Sequence, residues 1–259
     1  MKDSEQNVRT FKLILAYDGS GFSGWQVQPD AETVQGALAA SIRRLTGEKV
    51  LPQGAGRTDA GVHALAQVAS FATHSEIPAQ NLVKALNDIL PASIRVLEAS
   101  QAPADFHARR SARAKTYRYR IFRGPICPPF LARYVWHNPY LLDEVAMRQA
   151  AEMVLGEHDF TSFAAVDPEK AKDDDEEEAS KVRQVFSSAW ERQGDELLYA
   201  VRGSGFLHHM VRNLVGTFVL VGKGTLKPED VRKILKARDR SAAGPTAPAN
   251  GLYLVAVEY

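Results

Sequence analysis

Apolar residues fall at every second position from Phe11 through Leu13 and Leu15 to Tyr17, which predicts a strand. Val34, Leu38, Ile42 and Leu45 then recur at helical spacing, and Gly47 closes that stripe. Short strands are expected at 49–51 and 66–72. A second helix is expected on Leu82, Ala85, Leu86 and Ile89, and another strand at 94–97. The first half therefore reads β-α-β-β-α-β. The second half opens with a strand at 115–122. Met147, Ala150, Ala151 and Val154 mark a helix for which Asp143 is the expected N-cap. Strands at 182–190 and 197–201 flank Gln193, Gly194 and Asp195, a hairpin signal. Val211, Leu214, Val215, Phe218 and Val219 form one helical face, Pro228 opens a short further helix, and 252–257 is a closing strand. Residues 166–181 show no periodicity and read as a loop.

These patterns predict an α+β protein of two tandem ferredoxin-like (βαββαβ) halves, a mainly antiparallel mixed sheet with helices packed against it. The expected halves are 1–106 and 107–259, with the boundary near 104–112. The 259 residues allow one large domain or two small ones. No run of apolar residues is long enough to span a bilayer, and the polar N-terminus is no signal peptide. The single cysteine, Cys127, excludes an internal disulfide framework and points to a reducing compartment, hence the cytoplasm. The net charge of +1 conceals an asymmetry. Residues 173–178 are six consecutive acids, so the rest of the chain carries the net +1 plus those six, or +7. Such a run reads as a solvated loop, and the basic remainder permits a polyanionic partner.

Four segments bear on chemistry. Gly19, Gly21 and Gly24 spell G-x-G-x-x-G after a strand, but the following Trp25-Gln26-Val27-Gln28-Pro29 has no helical stripe. A dinucleotide site needs a helix to start inside the motif, so the expected role is a tight loop, and no nicotinamide cofactor is expected. The segment 54–64 holds three glycines with Arg57 and Asp59. Taken alone, Asp59 is a turn-former or a catalytic carboxylate. The segment 107–123 has seven Lys/Arg and no acid. Tyr117 and Tyr119 should share one strand face, with Arg118 and Arg120 on the other. That pattern suits phosphate neutralisation and base stacking, or a basic edge strand with its tyrosines in the core. In 203–213, a helix from about His208 would put Arg212 on the side of His208 and His209. Adjacent histidines diverge on a helix, so no metal site is expected, and the pair reads as polar packing or RNA contacts. Arg212 alone would pass for a surface residue.

Together these segments resemble the TruA family of tRNA pseudouridine synthases. The resemblance rests on Ala16-Tyr17-Asp18-Gly19 with Gly24-Trp25-Gln26, the Gly-Arg-Thr-Asp-Ala-Gly-Val-His run at 56–63, and Lys115-Thr116-Tyr117-Arg118-Tyr119. It continues with the Gly-Phe-Leu-His-His-Met-Val-Arg-Asn run at 205–213, and Pro245-Thr246-Ala247-Pro248 with Gly251-Leu252-Tyr253-Leu254. The resemblance implies isomerisation of uridine to pseudouridine at positions 38, 39 and 40 of the tRNA anticodon stem-loop, without metal or other cofactor. It implies a homodimer and a central RNA-binding cleft. Asp59 is then the catalytic carboxylate, Tyr117 the ring that stacks on the uracil, and Arg212 the cation paired with Asp59. Arg57 helps hold the flipped nucleotide, and Leu252 or Leu254 supplies an aliphatic contact to the tyrosine. Arg109, Arg110, Arg113, Lys115, Arg118, His208 and His209 are the expected RNA contacts. A non-catalytic tRNA-binding protein is the competing reading, though it gives no reason for Asp59 in its loop. The acidic run at 173–178 departs from the family pattern and is expected to point outward, away from RNA, or to be disordered.

Overall fold

The computed structural model describes residues 8–165 and 180–259. The acidic run at 173–178 and most of the expected loop at 166–181 lie outside the described residues. In chain order the elements are β1 (Arg9–Tyr17), α1 (Val34–Thr46), β2 (Gln53–Gly54), β3 (His63–Thr73), α2 (Ala79–Ile89), β4 (Ile94–Ala102) and β5 (Ala114–Phe122). They continue with α3 (Pro129–Ala132), β6 (Trp136–His137), α4 (Glu144–Glu152), β7 (Gly156–Asp159), β8 (Val182–Gln193) and β9 (Glu196–Gly203). The last are α5 (Met210–Gly222), α6 (Asp230–Ala237) and β10 (Leu252–Glu258). The protein is α+β, and most strand pairs are antiparallel. No helix among the described residues is long and apolar enough to cross a membrane.

The chain divides into two compact units: Met1–Arg113 with Tyr253–Tyr259, and Ala114–Leu252. In the first, β1 lies between β3 and β4, antiparallel to both, while β10 joins β3 in parallel, Tyr253 beside His63. Phe11, Leu13 and Leu15 are fully buried, as their alternation predicts, and Phe11 stacks on Phe71. Helix α1 starts where the Thr33 hydroxyl accepts the Gly36 amide. It stops at Gly47, whose left-handed backbone (φ 78°) returns an N–H to the Arg43 carbonyl. Buried Gln35 on α1 replaces water for two loops, accepting from the Val27 amide and donating to the Pro52 carbonyl.

In the second unit the strand order is β7-β8-β9-β5, all antiparallel, with β6 parallel to β5. The β8–β9 turn is Gly194-Asp195. Its first residue has φ 57°, a conformation open to glycine that matches the twist of the strands. Trp190, Tyr199 and Phe218 form a ring cluster with centroids 5.0, 5.3 and 6.3 Å apart, joining β8 and β9 to α5. Helix α5 is buried on almost every side, which its expected single apolar face understates. Asp143 caps α4 by accepting from the Val145 and Ala146 amides, as expected. The short strand expected at 49–51 forms instead at Gln53–Gly54, paired with Ser70 and Ala69. Strands β6 and β7, of 2 and 4 residues, are too short to print a period in the sequence.

Candidate active site

Asp59 lies, half-buried, in the connection between β2 and β3. The carbonyl of Asp59 accepts the Val62 amide at 3.1 Å, and Gly61 has φ 78°, so Asp59 opens a turn that needs positive φ at its third position. The residues before it are clamped from β3. Gln67 is wholly buried; its Nε2 donates to the Gly56 carbonyl at 2.8 Å and its Oε1 accepts the Gly56 amide at 3.3 Å. The Tyr17 hydroxyl shares a hydrogen bond with Thr58 Oγ1 at 2.8 Å and accepts from Gln67 Nε2 at 3.4 Å. Burial pushes the Tyr17 phenol up to about 12, against the opposing pull of those two hydrogen bonds. Asp59 therefore follows two residues whose side chain or backbone is tied to buried polar groups.

The glycine motif at 19–24 backs this loop. Residues 19–21 form one tight 3₁₀ turn, and the next helix waits until Val34, so the motif has no dinucleotide-site geometry. A Cβ on Gly19 would stand 2.0 Å from the Val62 carbonyl oxygen. One on Gly24, which has φ 92°, would stand 2.6 Å from the Thr58 oxygen. Gly21 would meet nothing within 4 Å. Two of the three glycines thus let one loop lie backbone to backbone against the other. Trp25 completes the contact by donating its amide to the Thr58 carbonyl at 2.9 Å. His63, also buried, accepts the Gly19 amide on Nδ1 at 3.1 Å and stacks on Tyr253. The Asp18 carboxylate approaches the same atom at 3.3 Å.

Arg57 is half-buried, two residues before Asp59. Arg109 and Arg110 sit on a turn in which His107 Nδ1 accepts both of their amides, while the Ala108 amide binds Ser70 Oγ on β3. The Arg113 amide binds the Glu258 carbonyl on β10. Arg110 and Arg113 are exposed and Arg109 half-buried. Leu254, fully buried, lies in register beside Ala64.

In the second unit, Tyr117 sits on β5 with 7% exposure, its ring edge-on to Phe206 at 5.1 Å. Tyr119 faces the same way and is fully buried. Arg118 is exposed on the opposite face, and Arg120 makes a two-pronged pair with Glu196 at 2.7 Å in each arm. Lys115 is half-buried at the start of that strand and Leu252 buried at the start of β10. The histidines depart from expectation. Helix α5 begins at Met210, and His209 precedes it in a left-handed conformation (φ 59°), with its ring stacked on that of His208 at 4.0 Å. Left-handed backbone cannot continue a right-handed helix, so the expected helical relation of both histidines to Arg212 does not hold. Arg212 lies in the first turn of α5, its Nε donating to the Ala247 carbonyl at 2.8 Å, while the Ala247 amide returns to the Arg212 carbonyl at 3.1 Å. Sequence reasoning missed the residues that hold this region, Asn213, Arg240 and Thr246. Only Asn213 carried a signal, as a polar side chain inside a mostly apolar helix.

The described residues thus hold a braced loop carrying Asp59 in the first unit and, in the second, a strand with Tyr117 and Tyr119 on one face and Arg118 on the other. Residues 13–109 and 150–259 match the family described as tRNA pseudouridine synthase. The chain belongs to that family. It is 51% identical over 252 residues to tRNA pseudouridine synthase A of Solibacter usitatus (strain Ellin6076), spanning 97% of this chain and 100% of that protein. The protein of the same name from Moorella thermoacetica is 48% identical over 254 residues, covering 96% and 98%. That from Brevibacillus brevis is 47% identical over 252 residues, covering 97% and 100%. The chain is accordingly an isomerase that converts uridine to pseudouridine in tRNA.

Gly24→Ala should destabilise the protein by more than about 1 kcal/mol, because it adds both a strained φ and a clash with the Thr58 carbonyl. Gly21→Ala should leave the melting temperature nearly unchanged; equal melting temperatures for both variants would refute the backing role. Alkaline unfolding tests the Tyr17 network. A phenol raised from 10.0 to about 12 binds its proton more tightly when folded. Its contribution is complete below pH 10 and is lost as pH climbs from about 10 to 12, roughly 3 kcal/mol in all. The stability of Tyr17→Phe should fall less steeply than wild type over that window; parallel curves in denaturant titrations would count against it.

Proposed function

We propose that this isomerase acts on uridines at positions 38, 39 and 40 of the tRNA anticodon stem-loop, with Asp59 as its catalytic carboxylate and no cofactor. The observation that carries the reading is the construction of the Asp59 loop. A buried tyrosine, a buried glutamine and two glycine-only contacts immobilise it around a single acid. Fixed placement of a charged group is what lowers a barrier without reorganisation at the moment of reaction.

In the reaction the N1–C1′ bond breaks, the detached uracil turns, and C5 bonds to C1′ while the C5 hydrogen leaves as a proton and N1 takes one up. Atoms and electrons balance without an outside reagent. Asp59 serves either by attack on C1′ or by taking a proton from C2′, and both roles need it ionised. Arg212 is its cationic partner, Tyr117 stacks on the extruded base, and Leu252 or Leu254 packs on the tyrosine. Stacking contributes about 1–3 kcal/mol toward the few kcal/mol that unstacking the uridine costs. Arg57 holds the flipped nucleotide. Arg109, Arg110, Arg113, Lys115 and Arg118 contact RNA phosphates, and His208 and His209 add polar contacts to the RNA.

The working form is a cytoplasmic homodimer. Its support is a set of large apolar side chains in one stretch of the second unit, Ile126, Phe130 and Leu141, which are 82%, 92% and 92% exposed. The lone Cys127 suits a reducing compartment.

The decisive experiment is tritium release from tRNA labelled at uridine C5, using substrates with uridine at only one of positions 38, 39 and 40. Wild type should release tritium from each, and Asp59→Asn should bind tRNA and release none. Release confined to uridines elsewhere in the tRNA would overturn the position assignment, and an active Asp59→Asn would overturn the role of Asp59. A monomer mass by light scattering at assay concentration would remove the homodimer.

A further inference from the structure

The segment that follows α6 makes an unusual set of bonds within the second unit. Arg240 donates through Nη1 to the Gly244 carbonyl at 3.0 Å and the Ala243 carbonyl at 3.4 Å. Its Nη2 reaches Asn213 Oδ1 at 3.0 Å and Thr246 Oγ1 at 3.2 Å. Asn213, wholly buried in α5, also accepts from the Thr246 hydroxyl at 2.7 Å and donates to the Phe163 carbonyl at 2.7 Å. Thr217, one helical turn further on, accepts the Gly244 amide at 2.9 Å. Two glycines make the contact close. A Cβ on Gly216 would stand 1.7 Å from the Pro245 oxygen, and one on Gly244 would stand 2.8 Å from Thr217 Cα.

The strap then touches Arg212 and, through Tyr119, the strand that carries Tyr117. At Ala247 it grips Arg212 on both sides, through the Nε and the main-chain carbonyl. At Pro248 its carbonyl accepts the hydroxyl of Tyr119 at 2.7 Å. Tyr119 is two residues from Tyr117 on the same face of β5, and Gly251 lies against the Tyr119 ring, where a Cβ would stand 2.7 Å away. Asn250 ties the far end to the Ala132 and Val135 carbonyls.

We propose that residues 240–251 form a positioning strap, locked by Arg240 on Asn213 and Thr246, that fixes the Arg212 guanidinium relative to the Tyr117 strand. The inference rests on the assignment of Arg212 and Tyr117 to the reaction. Arg240 is a positioning residue; it acts through Arg212 and touches no reacting atom. Its guanidinium suits the task because one planar fork satisfies four acceptors at once, which a lysine ammonium cannot reproduce. The Nε bond to Ala247 stops rotation of the Arg212 guanidinium about its stem, and Arg240 holds Ala247 where that bond forms.

The test measures single-turnover tritium release with enzyme in excess, together with tRNA affinity by filter binding, on folded dimeric or monomeric enzyme as it purifies. Arg240→Met should slow release about 10–100-fold, the scale of a small misplacement of a reacting group, and change Kd by less than about threefold. Arg240→Lys should fall between Met and wild type. Tyr119→Phe, which removes only a hydroxyl, should slow release in the same way and serves if Arg240→Met does not fold. In an Arg212→Met background, neither change should slow the reaction further, because the strap acts through that residue. Wild-type rates in both Arg240→Lys and Tyr119→Phe would overturn the proposal. Losses that multiply with that of Arg212→Met would also overturn it, since they mark a merely structural role. If Arg212→Met itself releases tritium at the wild-type rate, the assignment of Arg212 fails and the strap falls with it. A slow Arg212→Met beside unaffected strap variants condemns the strap alone.

Discussion

The carbonyl oxygens of Thr58 and Val62 occupy space that any side chain at positions 24 and 19 would need. Much of the first unit follows from that close approach. Because two backbones lie against each other, the Asp59 turn has a wall of main chain behind it and bonds to it: the Trp25 amide to the Thr58 carbonyl, the Gly61 amide to the Phe22 carbonyl, and the Gly19 amide to the His63 ring. The glycines supply shape and the buried Tyr17 and Gln67 supply direction. A carboxylate placed on an ordinary surface loop would keep its charge but lose its address. Here the loop is as constrained as a strand interior while the acid itself stays half-exposed.

The second unit reaches the same end by other means. Its central helix is so thoroughly enclosed that it cannot rotate to present a side chain. One polar residue in that helix, Asn213, recruits a later segment of chain, and this segment returns to hold the neighbour of Asn213 by its Nε. Buried polar groups are costly unless each is satisfied, so the network admits one arrangement of the segment rather than several. Apolar packing fixes the helix; hydrogen bonds fix what the helix offers.

The sequence disclosed periodicity and concealed contact. The alternation at Phe11–Tyr17, the helical stripe at Val34–Ile42, the Asp143 cap and the Gly194 hairpin were readable because each is set by residues within one turn or one strand of each other. The start of α5 was not, because nothing in the letters of His208 and His209 announces a left-handed backbone. The G-x-G-x-x-G run packs against Thr58 and Val62, a partner that its own spacing does not reveal. Asp59 stands out only beside the family's motifs; locally it reads as a turn-former or a catalytic carboxylate, and its carbonyl does open a turn. Arg240 drew no attention, since its partners are a buried amide, a hydroxyl and carbonyls gathered by folding.

The sheet of the first unit is completed by residues 253–259: Tyr253 and Leu254 pair with β3, the Glu258 carbonyl takes the Arg113 amide, and the Tyr259 hydroxyl reaches the Ala108 carbonyl. The second unit is one uninterrupted length of chain lying between the two pieces of the first. On the ribosome, then, the order of synthesis and the order of completion differ. The segment that emerges first must wait, its β3 edge unpaired beside His63 and Ala64, until Tyr253 and Leu254 have been made. During that interval the growing polypeptide carries an open strand edge, a surface on which another strand can pair.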